Sequence, residues 1–475
     1  MNSWANKFVL VLGLGETGLS MVHWLALQGA RLRAADSRDT PQGLDEVAQY
    51  IPAEEIVCGA FTDALFEDID LIAISPGVPL SDPCIATALA RGIPVLGDIE
   101  LFAQHCSDIA GFKPQDETKV VAITGSNGKT TVTSMVEHLC KVCGRDAVAA
   151  GNISPAILDV VLQRGDRQPE IWVLELSSFQ LETTSNLQLD AATVLNVCED
   201  HLDRYEGMDG YTTAKSRIFN RTRLQVLNRD DVRSIGMKCA TGRYISFGLN
   251  SPPRAEDFGI ERAGDEIWLV HGADRLLNAS ELKLVGLHNV SNALAALALC
   301  HSINLPMICL LDGLRSFKGL PHRVALVGEI NGVTFYDDSK GTNVGATVSA
   351  LAGLGCRAVL IAGGTGKGQD FTKLKTAVSR HARAVVLIGR DAALIEAAIL
   401  GCGVAVIHAK DMQEAVQQAM KQALPGDAVL LSPACASFDM YRNYAHRAQV
   451  FIDEFGHLTN EATRDSQVQE AKWPL

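Results

Sequence analysis

The stretch "VVAITGSNGKTTVTSM", Val120 to Met135, confines the chain to one kind of geometry: a buried apolar strand, a tight glycine turn and the first turns of a helix follow one another without a break. In that order, backbone N–H groups of the 125–130 turn can converge on phosphate oxygens, and the helix adds the positive end of its dipole. Lys129 brings mobile positive charge to terminal phosphates, and the Thr130 hydroxyl is placed to ligate Mg²⁺. The bland alternative is an ordinary strand-to-helix turn, and the ordered strand, Gly-x-x-Gly-Lys-Thr and helix speak against it. The loop is also short. In the G-x-x-x-x-G-K-[ST] form a glycine stands six positions before the lysine, and Ile123 occupies that position here.

A phosphate-loop ATPase needs a carboxylate for its metal at the end of a hydrophobic strand. "EIWVLELSSFQLE" supplies Glu175 inside an apolar run, where a charge is costly unless it meets a cation. The next strand, "AATVLNV", leads to "CEDHLDRY" and sets His201 at what should be the same sheet edge. A lone histidine is more often structural; its place at a strand end beside the nucleotide favours a metal or substrate role.

Towards the N-terminus, "GLGETG" fits G-x-G-x-x-G at Gly13, Gly15 and Gly18 after a strand, and Asp36 ends the following strand. Alone this reads as NAD binding. The glycines require only close approach of backbone to a diphosphate, so a UDP-type nucleotide suits them equally. A simple dehydrogenase has no use for the second nucleotide loop.

Apolar runs alternate with helical stretches in "KFVLVLGLG", "RLRAADS", "DLIAISPGV" and "IPVLGDIE", the beat of a doubly wound parallel sheet. "CSDIAGFKPQDET", Cys106 to Thr118, reads as a linker. The central part then carries apolar strands, a polar, irregular stretch from Asn228 to Leu287, and the helix "NVSNALAALALCHS". "KGLPHR", Lys318 to Arg323, marks a second boundary, after which "GVTFYDDS", "AVLIAGG", "AVVLIG" and "AVLLSP" predict another open α/β sheet. A length of 475 residues accommodates roughly three domains. The expected division is 1–110, a Rossmann-like domain; 111–320, a phosphate-loop domain; and 321–475, a Rossmann-like domain with a frayed tail from Asn460. A net charge of −13 with scattered basic residues excludes a nucleic-acid binder. No apolar run approaches the roughly 18 residues of a membrane span, and "MNSWANKFVLVLGLG" enters a strand rather than a leader, so a cytoplasmic protein without membrane insertion is expected; a monomer is expected as well. The cysteines sit mostly in apolar segments, as Cys300 and Cys309 do, and are expected to be reduced core thiols; the Cys140/Cys143 C-x-x-C is read as structural.

"TGSNGKTT", "ELSSFQLE", "NVCEDHLDRY", "AKSRIF", "GLHNVSNALAALAL", "GLPHR", "DDSKGTN" and "LSPACASFDMYRNYAHR" occur in the order that resembles the Mur ligases of peptidoglycan synthesis, over about Val9 to Phe455. Within that family "GLGETGLS" and "SPACASFD" resemble the members that add D-glutamate to UDP-N-acetylmuramoyl-L-alanine. The resemblance implies an ATP- and Mg²⁺-dependent amide ligation through an acyl phosphate. It implies ATP contacts from Gly125, Ser126, Asn127, Gly128, Lys129, Thr130 and Thr131, then Asn289, Asn292, Arg323, Asp338 and Lys340. Metal would be held by Thr130, Glu175, His201 and Lys215, the last a lysine carbamylated in this family, where the residues alone suggest a surface lysine on a helix. Lys129, His201 and Lys215 are the implied catalytic set. The UDP substrate is assigned to Gly15, Glu16, Thr17, Asp36, Ser37, Arg38, Ser75 and Gly77, with Asn152 near the reacting end, and D-glutamate to Thr342, Lys367, Ser437 and Phe438. Gly341 stands where the family commonly has alanine, a change expected to affect loop freedom more than chemistry. The short loop then has a reading: fewer residues wrap the β-phosphate, the γ-phosphate stays open to an incoming carboxylate, and the third domain closes over ATP instead.

Overall fold

The computed structural model describes residues 4–108, 118–284 and 286–470, with side chains described for 4–106, 118–284 and 286–460. The first sheet holds β1 (Phe8–Leu12), β2 (Arg31–Asp36), β3 (Ile56–Cys58), β4 (Leu71–Ile74) and β5 (Val95–Leu96), all parallel, in the order β3-β2-β1-β4-β5. Winding reverses between β1 and β4, which opens a crevice at the carboxyl ends of these strands, the usual ligand position in such sheets. Every residue of β1 is buried, as a strand covered by helices on both faces must be.

The central sheet is parallel too: β6 (Lys119–Thr124), β7 (Ala147–Gly151), β8 (Ile171–Glu175), β9 (Leu189–Val194), β10 (Thr222–Asn228) and β11 (Arg243–Phe247), in the order β11-β10-β9-β6-β8-β7. The segment expected to be irregular, Asn228 to Leu287, departs from that expectation. It contains β11 and then an antiparallel sheet of β12 (Phe258–Ala263), β13 (Glu266–His271) and β14 (Asp274–Asn278). On one face of these strands Phe258, Ile260, Leu269 and Leu277 are inside, while Glu261 and Trp268, paired on the other face, stay partly exposed, and the alternation reads as polar in the sequence. In the C-terminal sheet, β15 (Ala325–Ile330), β16 (Val333–Asp337), β17 (Ala358–Gly363), β18 (Ala382–Ile388), β19 (Ala405–His408) and β20 (Ala428–Leu431) run β15-β16-β20-β17-β18-β19, with only β15 antiparallel. This is the expected three-part α/β architecture.

A shared hydrophobic core ties the first sheet to the central one. One cluster runs from Trp24 and Phe102 into Trp172 and Tyr211, with the Phe102 and Trp172 rings edge to face at 4.8 Å. Polar contacts reinforce the same seam: Gln180 Nε2 donates to both carboxylate oxygens of buried Asp98, and Glu100 accepts from the backbone of Ser185 and Asn186. The clusters of the C-terminal sheet draw on residues 324–458 alone. It therefore has its own core, and it meets the rest through helix Val344–Gly353 against helix Leu287–Ser302 and through pairs such as Lys373 with Glu199.

Helix Asp98–Asp108 reaches into the expected linker, and the linker's residues 109–117 lie outside the described residues. The tail does not fray at Asn460: helix Tyr444–Glu470 continues through it, and only residues 471–475 lie outside. Cys309 is not a reduced core thiol. It is half-buried and joined by a disulfide to Cys143, whose partner is thus remote rather than its C-x-x-C neighbour Cys140. Cys300 is the buried thiol expected of it.

Candidate active site

The phosphate loop is held from several sides before any ligand is considered. After β6 the chain turns at Gly125, and Gly128 caps helix Lys129–Val142 with φ +84°. A Cβ at Gly128 would meet Asn292 Oδ1 at 2.8 Å, so both backbone twist and crowding require glycine there. The Asn196 side chain accepts from Asn127 N (2.8 Å) and donates to Asn127 O (3.1 Å), and Ser126 Oγ exchanges hydrogen bonds with the backbone of Cys198. Asn343 Nδ2 donates to Asn127 Oδ1 at 2.9 Å, tying the C-terminal unit to the loop. Lys129 Nζ donates to the carbonyls of Gly125 and Ser126, and Lys215 Nζ donates to the same Gly125 carbonyl at 3.0 Å. Burial lowers the basicity of both lysines, Lys215 far more, with the charge of Lys129 adding to the effect. Lys215 is only 1% exposed, so the surface reading of it is wrong.

Glu175 stands between two sites. β8 pairs with β6 and β7 so that Glu175 lies level with Ile123, just before the phosphate loop, and with Gly151 on its other side. Its Oε1 accepts from Asn152 Nδ2 at 2.8 Å, while Oε2 is buried without a hydrogen-bond partner. His201, in a left-handed backbone conformation (φ 55°), lies 3.7 Å from Asp200 and packs edge-on against Phe179; burial lowers its pKa. Among the described residues no three histidine, cysteine or acidic side chains gather into a metal-binding group, so any metal here must draw on hydroxyl and ligand oxygens as well.

Two cavities flank this edge. One, of about 250 Å³, is lined by Asn127, Gly128, Thr131, Asn289 and Asn292 from the central unit and by Arg323, Asp338 and Lys340 across from it. The other, of about 450 Å³, is lined by Gly15, Glu16, Thr17, Asp36, Ser37, Arg38, Ser75, Gly77 and Asn152, together with Gln180. Asp36 accepts from Arg38 Nε and Nη2 and from Leu14 N, and the guanidinium holds its pKa at about 2. Thus engaged, it is not the free carboxylate that a dinucleotide ribose needs. A Cβ at Gly18 would lie 1.8 Å from Gly13 O, so the glycine signature here reflects backbone packing as much as any ligand.

The residues expected to meet D-glutamate are less tightly gathered. The loop bearing Lys367 pairs with the loop bearing Ser437 through Thr365 and Ala436, while Lys367 Nζ reaches to 3.9 Å from Asp200. Ser437 is buried; Phe438 is 74% exposed. Thr342 N donates to Lys340 O in the turn beside the first cavity. Gly341 proves to be a matter of space rather than loop freedom: a Cβ there would meet Asp338 Oδ2 at 2.5 Å and Ser432 Oγ at 2.9 Å.

Sequence reasoning passed over three supports. Arg447, 1% exposed, donates to Ser339 Oγ, Ser339 O and Cys435 O, so one guanidinium holds the 338–340 turn and the 435–437 loop together. Asn196 and Asn343 clamp the phosphate loop. A buried arginine in "YAHR" could have been suspected from its apolar neighbours downstream; the asparagines carry no signal apart from the fold.

Two buried acids predict a pH effect. Burial raises Asp338 to about 7, opposed by Ser432 and Arg323, and raises Asp98 to about 6, opposed by Gln180. An acid whose folded pKa exceeds its unfolded value of about 4 stabilises the fold most fully below that value and loses the contribution as pH rises through the folded pKa. Asp36 has the opposite sign and loses its contribution only as pH falls towards 2. The ligand-free protein is expected to lose stability from pH 5 to 8, with a shallower fall in Asp338→Asn and Asp98→Asn. Thermal midpoints across that range test this, and slopes identical to the parent's would refute the assignment.

Models of three domains match the chain: the MurD-like N-terminal domain of Mur ligases over residues 7–97, the Mur ligase middle domain over 123–300, and the Mur ligase glutamate ligase domain over 322–435. A UDP-N-acetylmuramoylalanine--D-glutamate ligase of Nitrosomonas europaea is 52% identical over 455 residues, covering 94% of this chain and 96% of its own. The protein of the same name from Methylobacillus flagellatus is 55% identical over 447 residues, with 94% and 96% covered. Among solved structures, the UDP-N-acetylmuramate-alanine ligase MurC of Thermotoga maritima aligns with a TM-score of 0.59 at 19% identity, covering 95% of this chain and 99% of its own. MurF from Acinetobacter baumannii aligns at 0.58 and 18%, covering 95% and 92%. These two are alike in fold.

Proposed function

The chain belongs to the Mur ligase family, and from that membership we propose that it joins D-glutamate to UDP-N-acetylmuramoyl-L-alanine in an ATP-dependent amide ligation of peptidoglycan precursor synthesis. The observation that carries the reading is the position of Glu175, with one oxygen bonded to Asn152 of the second cavity and the other buried and unpartnered next to the phosphate loop. A carboxylate presented from the Asn152 side and a γ-phosphate presented from the Lys129 side meet at that edge. The L-alanine carboxylate attacks the γ-phosphorus, ADP leaves, and an acyl phosphate forms. The D-glutamate amine then attacks the acyl carbon, loses a proton and expels phosphate. Amide formation from a free carboxylate is uphill in water, and the acyl phosphate makes it downhill.

The chain's groups divide this work. Lys129 and the N–H groups of Gly125 to Thr131 bind the ATP phosphates, while Asn289, Asn292, Arg323, Asp338 and Lys340 hold base and ribose. Gly15, Glu16, Thr17, Asp36, Ser37, Arg38, Ser75 and Gly77 hold the UDP part; Thr342, Lys367, Ser437 and Phe438 orient D-glutamate. Mg²⁺ would be held by Glu175, whose Oε2 lacks a hydrogen-bond partner, with His201, the Thr130 hydroxyl and Lys215 as further ligands. Lys215 serves only once carbamylated, since an ammonium donates and cannot ligate. Bound there, Mg²⁺ neutralises charge between γ-phosphate and carboxylate. The separate core of the C-terminal unit suits closure over the intermediate, which water would otherwise hydrolyse.

We divide the chain at 110 and 320, assigning the UDP substrate, ATP and the amino acid to successive domains. The protein acts as a cytoplasmic monomer in this reading; among the described residues no helix is long and apolar enough to cross a membrane. Phosphate release from ATP with UDP-N-acetylmuramoyl-L-alanine and a panel of D-glutamate, L-glutamate, L-alanine and meso-diaminopimelate tests the proposal. Release with D-glutamate alone is expected. Release with another amino acid moves the chain to a sister reaction, and none with any of them overturns the ligase reading.

A further inference from the structure

Cys143, at the C-terminal cap of helix Lys129–Val142, and Cys309, in the first turn of helix Met307–Ser316, form a disulfide with Cα atoms 5.3 Å apart across 166 residues of sequence. Both residues are partly exposed. Next to them, on the same helix as Cys143, Cys140 faces Cys300; both are buried free thiols, and burial keeps Cys300 protonated. The two pairs thus differ in kind. The inner thiols are shielded and inert, whereas the outer pair is open to small reactants. The outer pair also has a built-in direction: the helix dipole favours a thiolate at Cys309, near a positive end, and disfavours one at Cys143, near a negative end.

The bond joins helices that matter to the site. Below it, Gly313 lies so close to Leu139 that a Cβ would meet Leu139 Cδ2 at 2.5 Å, and His138 bonds Ser316 Oγ at 2.8 Å. One helix starts at Lys129 of the phosphate loop; the other leads through Phe317 into the Lys318–Arg323 connection, which delivers Arg323 to the first cavity. We infer that Cys143 and Cys309 are a thiol–disulfide exchange site whose co-reactant is a small disulfide or small thiol, and that its state sets how tightly this connection is held to the phosphate-loop helix. In the oxidising direction the Cys309 thiolate attacks a small disulfide, forming a mixed disulfide and releasing one small thiol. Cys143, losing its proton, then attacks the mixed disulfide at Cys309 and releases the second small thiol. Two electrons pass from the protein pair to the reagent. Where small thiols are plentiful, disulfides are usually transient and responsive.

The test takes the full-length protein equilibrated with oxidised or with reduced glutathione, then alkylated and mapped by mass spectrometry, with amide exchange followed over residues 307–323. The expected result is a Cys143–Cys309 cross-linked peptide in the oxidised sample alone, Cys140 and Cys300 free in both, and exchange over 307–323 about tenfold slower when cross-linked. Cys143→Ser and Cys309→Ser should each exchange at the reduced rate under both conditions. Absence of that cross-link, a cross-link through Cys140 or Cys300 instead, or equal exchange in both states would overturn the inference.

Discussion

Replacing Lys129 by alanine is expected to lower kcat/KM for phosphate release by about 10³, a loss of about 4 kcal/mol in transition-state binding. The side chain hydrogen-bonds only to carbonyls of its own loop, and its charge is felt by Glu175 and Asp200 nearby. Its basicity is lowered by burial, which means the fold carries a charged group against its preference. Removing that charge should leave the thermal midpoint unchanged or slightly higher. Activity and stability would then move apart, the mark of a group kept for its ligand. A variant retaining more than a tenth of parental kcat/KM would show that the γ-phosphate draws its charge from elsewhere.

The largest structural effect should come from Arg447→Ala. Burial depresses its pKa to about 10, yet three acceptors on two loops depend on its fork. Left without it, the buried carbonyls of Ser339 and Cys435 lose their donors, at about 3 kcal/mol together. That corresponds to a fall of roughly 6–12 °C in the transition of a unit the size of the C-terminal domain. Because the same loops lead to Asp338 and Ser437, KM for ATP and for D-glutamate should both rise about tenfold. Arg447→Lys restores charge without the bidentate fork and should recover only part of either loss. Differential scanning calorimetry with steady-state kinetics decides; an alanine variant with parental KM values would confine Arg447 to stability.

What could be read from the sequence was whatever short-range pattern announces. Strands covered on both faces, such as β1 and β17, are unbroken apolar runs, and the turn at Gly125 follows its strand directly. The residues assigned to the UDP part line a single cavity, because the loops bearing eight of them leave the ends of the neighbouring strands β1, β2 and β4, while Asn152 joins them from the end of β7 in the central sheet. The one-sided strands β12 to β14 were missed because their alternation resembles a polar loop. Lys215 and Arg447 were missed or misjudged for a different reason: a charged residue on a helix looks the same whether the face turns to solvent or to another element. The Cys143 pairing lies beyond any local rule, since 166 residues separate the partners.

The continuous core beneath Trp24, Phe102, Trp172 and Tyr211 has a bearing on inhibitor chemistry. The second cavity and the phosphate loop stand on one continuous core, so the span between them is held by the packing beneath. A two-headed compound reaching from Asn152 to Gly128 can be joined by a short, stiff tether, whose rigidity adds affinity because little freedom is lost on binding. A tether extended to the Lys367 loop crosses onto a body with its own core and must bend with it, and each added rotatable bond there weakens the compound.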